Sequence, residues 1–332
     1  MTTPATGWAR VETGWSLSGL DAVALASDRL RVVVLPGLGG RVWEITDLAT
    51  GVQPLWHHPR LQPAPVPFGS GYDDNFIGGW DELFPNDLAE ELAGEPFPDH
   101  GETWSEGWAW RVLPGPDAAV ELTLHGRISG CRLRRTLRLA PGSPALACEV
   151  EVTNTGRDEL PMLHKQHLAV ALDAGSRVDL PSGCRVEVGP FGRPRAGAGG
   201  DRFAWPGQSD FAAPAPPGTA ELLFASDLTQ GWCAATRGDG TGIGVAFDAA
   251  AYPACWTFAS WGGWRGLEVV VLEPCTGLGL SVAEGVETGR HRVLAPGEAF
   301  ATTVTAVLYS GLARVTSIAG AGDGVRVEGE RL

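Results

Sequence analysis

Lysine is nearly absent from this chain, with Lys165 standing alone against 24 arginines. Any covalent chemistry through a lysine amine is therefore a question about one residue. Cysteines number six, at positions 131, 148, 184, 233, 255 and 275, but they form no CxxC pair and lie scattered through apolar stretches. That pattern excludes a zinc ribbon or a disulfide framework and predicts buried, reduced thiols. No apolar run approaches the roughly 18 residues of a membrane span, and the start, MTTPATGWARVETGW, lacks a basic region followed by an apolar one. The expectation is a soluble, cytoplasmic protein without membrane contact. Basic residues are outnumbered, giving a formal net charge of −14. This argues against a nucleic-acid backbone as partner and is more compatible with a neutral small molecule. The turn Pro36-Gly37-Leu38-Gly39-Gly40 lacks GxGxxG spacing, and the residues after it alternate like a strand, so dinucleotide binding is set aside.

What the chain has in abundance is punctuation. Its 332 residues include 46 glycines and 25 prolines, spread between apolar runs and not gathered into a low-complexity tract. The clearest strand is LRVVVL at 30–35. Between residues 108 and 152 the runs WAWRVL, AAVELTLHG, CRLRRTLRL and ALACEVEVTN read as an antiparallel meander with one buried face. Residues 52–56 read as a further strand, 60–75 as irregular loop, and 190–220 as a long surface loop. Strand patterns resume after that loop, and only residues 310–319 have helical character. The fold class expected is all-β, a large two-sheet antiparallel sandwich formed as a single domain over residues 1–332.

Three stretches carry chemistry. In LEVVVLEPCTG at 267–277, period 2 puts Leu267, Val269, Val271 and Glu273 on one face. Glu273 thus ends an apolar row, either as a strand end that has reached water or as a partly desolvated carboxylate at a cavity mouth, suited to a general base. GGWDELFPN at 78–86 and PDHGETW at 98–104 crowd Trp80, Asp81, Glu82, Asn86, Asp99, His100, Glu102 and Trp104 into loops. Such a mixture is either a solvated acidic loop with anchoring tryptophans or a carbohydrate site, since sugars present hydroxyl edges and C–H faces. In LPMLHKQHLAVAL at 160–172, Lys165 and His167 share a strand face while His164 and Gln166 look the other way. A histidine there is either a satisfied core residue or a ligand-facing one.

In this order and at these separations, GGWDELFPN, PDHGETW, MLHKQHLAVAL and VLEPCTG resemble the corresponding segments of the aldose 1-epimerase family, the galactose mutarotase-like proteins. The resemblance covers roughly residues 10–310. It implies a β-supersandwich with a sugar in a groove across one sheet, His167 and Glu273 as the catalytic pair, and His100 as a substrate-binding histidine. Two departures stand out: no basic residue follows the Leu-Phe-Pro segment, where the text reads NDLAEEL, and the histidine strand lacks an Asn-His-Ser sequence. The implied activity is exchange of sugar anomers, with Glu273 taking the O1 proton and His167 supplying the ring oxygen. A non-catalytic sugar-binding protein, or another sugar epimerase or lyase, are the alternatives. Trp80, Asp81, Asn86 and Lys165 are expected to hold hydroxyls, and Trp104, Trp261 or Trp264 to stack on the ring. The expected partner is a monosaccharide or a derivative of one, bound by a monomer or homodimer, with neither metal nor cofactor required.

Overall fold

The computed structural model describes residues 7–195, 197–207 and 215–332. Among the described residues, two large antiparallel sheets face each other. The larger has eleven strands in the spatial order Ala9–Leu17, Leu20–Ser27, Leu30–Leu35, Arg41–Asp47, Trp80–Leu83, Lys165–Ala171, Glu268–Cys275, Ala254–Trp261, Thr219–Ser226, Arg185–Val188, Arg202–Ala204. The smaller has eight, in the order Arg177–Asp179, Trp232–Thr236, Gly242–Ala246, Ala299–Tyr309, Ala145–Asn154, Cys131–Leu139, Ala118–His125, Ala109–Val112. The meander anticipated between residues 108 and 152 forms four consecutive antiparallel strands of the second sheet.

Alternation decides which residues meet between the sheets. Val270 and Leu272 point into the main core with Leu168, Val170 and Trp80, whereas Leu267, Val269 and Val271 join a separate cluster on the outer face with Leu83, Tyr72 and Trp104. The middle strands of the large sheet are thus apolar on both faces, and the outer face carries the concavity. All six cysteines are buried and free.

Three expectations fail. Residues 52–56 form no strand; Leu55 makes only an isolated bridge to Val170, because Pro54 interrupts the run. The stretch with helical character is instead the strand Leu312–Ala319, paired with Arg326–Arg331, since its β-branched residues bury Val315 and Ile318 against the small sheet. Residues 190–220 are not one loop. Arg202–Ala204 pairs with Arg185–Val188 and Arg193 bridges Ala220, while residues 196 and 208–214 lie outside those described. The α-helix found among the described residues, Val282–Thr288, was not anticipated.

Candidate active site

A cleft of about 240 Å³ opens on the outer face of the large sheet, lined by Tyr72, Phe76, Asp87, His100, Lys165, His167, Phe191, Trp256, Phe258, Trp264, Val271 and Glu273, among others. Its floor follows from strand register. Lys165 pairs with Cys275 and Leu168 with Leu272, which sets His167 level with Glu273 on the adjacent strand. His167 pairs on its other side with Asp81, and Glu273 with Trp256. One row of side chains, Asp81–His167–Glu273–Trp256, therefore crosses four neighbouring strands on one face.

His167 is held from behind. Its Nδ1 lies 3.0 Å from Asp81 Oδ1 and 3.1 Å from the Tyr72 hydroxyl. Tyr72 donates to Asp81 Oδ2 at 3.0 Å, and Arg41 meets the same oxygen at 2.7 Å. Burial opposes the charge on Asp81, but Arg41 and His167 outweigh it and hold the carboxyl down at about 2. An ionised Asp81 can only accept, so Nδ1 carries the hydrogen and Nε2 is left to face the cleft. Tyr72, pushed well above its ordinary value by burial and by Asp81, keeps its proton.

Glu273 is 4% exposed and lies 3.2 Å from the Lys165 ammonium. That ammonium also bonds Asp87 and sits 3.9 Å over the Trp256 ring. Burial works against the lysine charge, yet Asp87 and Glu273 overcome it and raise Lys165 above its usual range. The sole lysine is thus a permanent cation that anchors two carboxylates, unsuited to attack a carbonyl. The acidic neighbour that lies against His167 is Asp81; Glu82, next in sequence, points through the sheet to His164 at 2.8 Å.

His100 stands on the cleft wall, stacked on Tyr72 with centroids 4.2 Å apart. Its backbone has φ +60 and is followed by Gly101 at φ +76, where a Cβ would stand 2.0 Å from the Phe84 carbonyl oxygen. Only glycine allows that approach, and it is what turns the histidine inward. Nδ1 bonds Asp99 at 2.9 Å, while Nε2 lies 3.9 Å from Asp87. Burial lowers the histidine's proton affinity, but Asp87 and Asp99 reverse this and leave it raised.

Of the residues picked out by sequence, the structure brings Glu273, His167, His100, Lys165 and Trp264 together at the cleft. Asp81 lies just beneath. The others take different places. Trp80 is on the opposite face of its strand from Asp81, in the intersheet core, with its indole N–H on Gln166 at 2.8 Å. Asn86 uses its amide to tie Leu88 and Pro98 carbonyls. Trp104 is buried edge-on beneath Tyr72. Trp261 packs into the main core under Arg195. Sequence reasoning missed Tyr72, Arg41, Asp87 and Trp256. The aromatic richness of residues 60–75 was a signal for Tyr72, and the position directly after Asn86 was one for Asp87.

No protein-family model matches this chain, and no curated protein matches it. Solved structures do. The Slr1438 protein of Synechocystis sp. PCC 6803 superposes with a TM-score of 0.67 at 18% identity, covering 90% of this chain and 99% of that one. A galactose mutarotase-like protein from Clostridium acetobutylicum gives 0.67 at 14% identity, over 91% of this chain and 99% of its own. A protein described as a candidate aldose 1-epimerase from Escherichia coli K12 gives 0.63 at 18%, over 85% and 96%. At such identities it is the architecture that is shared, and the chain has the galactose mutarotase-like sandwich fold.

Proposed function

We propose that the protein is an aldose 1-epimerase acting on a sugar in the cleft, with Glu273 and His167 as acid–base partners. The observation that carries this reading is the register row that sets His167 level with Glu273 on adjacent strands, both lining one cleft. Anomer exchange needs one proton removed from O1 and one delivered to the ring oxygen, after which the ring opens and recloses on its other face. Ionised Glu273 takes the first. His167, acting in its imidazolium form with Asp81 accepting from Nδ1, delivers the second from Nε2, and the roles reverse on closure. His100 and Lys165 stand where hydroxyls would meet them, and Trp264 and Phe258, 5.3 Å apart and edge to face, offer apolar surface to a sugar's C–H face. Residues 1–332 are proposed to act as one unit in this, with a soluble sugar as the partner.

The test is anomer exchange followed by polarimetry or NMR. Glu273→Gln and His167→Ala are each expected to slow the accelerated exchange by about 10²-fold or more; exchange at the wild-type rate in both variants overturns the reading. One observation favours a second possibility. The 3.2 Å ion pair between Lys165 and Glu273 competes with a role for Glu273 as base, and a purely sugar-binding protein would tolerate it. Saturable sugar binding by calorimetry, with exchange no faster than in buffer, identifies that case.

A further inference from the structure

The row that holds Glu273 does not stop at the cleft. Trp256 pairs with Phe224, Phe224 with Glu187, and Glu187 with Arg202, so the same face continues across three more strands. Phe224, Glu187 and Arg202 line a second depression of about 620 Å³, bordered by Thr288 and Arg290. Pro190 and Leu280 line both cavities. At roughly 4.8 Å per strand, Phe224 stands about 10 Å from Glu273 along the row. That lies beyond the ring held at Glu273, within reach of the units joined to it.

The chemistry of this depression is mixed in sign. Arg202 bonds Glu187 at 2.9 Å, Arg185 meets Asp227 at 3.1 Å, and Glu284 accepts from the Leu280 N–H at 2.9 Å. Arg290, half-buried, has no ion pair or side-chain hydrogen bond to any described residue. Phe224 is fixed edge-to-face against Trp256, centroids 4.7 Å apart. The lining sets Glu187 and Glu284 against Arg185, Arg202 and Arg290, and all of these but Arg290 are engaged with partners. An aromatic ring surrounded by anchored donors and acceptors suits a neutral, hydroxyl-rich unit, and Arg290 is the donor left unused.

We propose that this depression is a second glycosyl subsite, so that the preferred substrate is a neutral reducing oligosaccharide. The ring exchanging its anomers lies between Glu273 and His167, and the units that follow cross Leu280 and Pro190 towards Phe224 and Arg290. The proposal rests on the sugar-site reading of the cleft. Its test compares glucose with maltotriose, and galactose with lactose, by exchange kinetics and by calorimetry. In at least one series the longer sugar is expected to have about tenfold higher kcat/KM, through KM, and correspondingly tighter binding. Arg290→Ala should bring that ratio towards one. Equal affinities in both series, or an advantage that survives Arg290→Ala, overturn the subsite even where exchange is fast. An Arg290-sensitive affinity gap without accelerated exchange keeps the subsite and overturns the enzyme.

Discussion

Asp81 holds two neighbours at once, Arg41 at 2.7 Å and His167 at 3.0 Å, with all three side chains almost wholly buried. Asp81→Asn would leave the Arg41 guanidinium buried without its counter-charge, a loss of about 3–5 kcal/mol. It would also put an amide, which can donate to Nδ1 as well as accept from it, in place of the carboxylate that fixes the His167 tautomer, and anomer exchange should fall by roughly 10²-fold or more. Urea unfolding reads the first effect and NMR exchange the second; an Asn variant with wild-type exchange would detach Asp81 from the chemistry. Lys165 leads to a different expectation. Its amine is kept protonated by Asp87 and Glu273, so borohydride with a carbonyl sugar should leave no covalent adduct at neutral pH. A stable mass increase on Lys165 would restore the Schiff-base alternative.

Elements position these residues through alternation, and alternation was the most legible property of the sequence. The split of Lys165 and His167 from His164 and Gln166, and the face shared by Val269, Val271 and Glu273, follow from period 2 alone. What could not be read was which strands become neighbours. The fifth and sixth strands of the large sheet are separated by more than 80 residues of chain, so the meeting of Asp81 and His167 was invisible to spacing. Trp80 was misplaced for a related reason, because residues 78–86 looked like loop and the strand Trp80–Leu83 turns its indole inward. The short helix had a readable signature that went unused. Ser281 accepts from the Glu284 N–H at 3.0 Å, Gly289 closes the far end in the left-handed region, and Glu90 caps the Val282 and Ala283 N–H groups. Ser281→Ala should therefore cost about 1 kcal/mol in urea unfolding. A loss well under that would mean that Glu90 alone satisfies the helix start.

For the whole molecule, buried charge gives stability a defined pH window. Asp81, Glu82 and Asp87 are all held below their ordinary values: burial opposes their charge, but Arg41 and His167, His164, and Lys165 respectively overcome it. Each such carboxylate contributes its full stabilisation above its unfolded value near 4, and loses it as pH falls through the folded value, about 2 for Asp81. For Asp81 this is on the order of 2 kcal/mol. His100 has the opposite sign. Its proton affinity is raised in the fold, so its contribution is complete below the unfolded value of 6.5 and fades as pH rises through the raised one. A net charge of −14 adds self-repulsion on the same alkaline side. The urea midpoint should therefore fall steeply below about pH 4 and decline gently above about pH 7, while His57, whose proton affinity is lowered by burial, takes a further share of stability as pH falls below 6.5. His100→Gln should flatten the alkaline decline and leave the acid limb in place. A midpoint that keeps rising to pH 8 in the wild type would show that the Asp87–His100–Asp99 cluster does not hold its proton as the geometry requires.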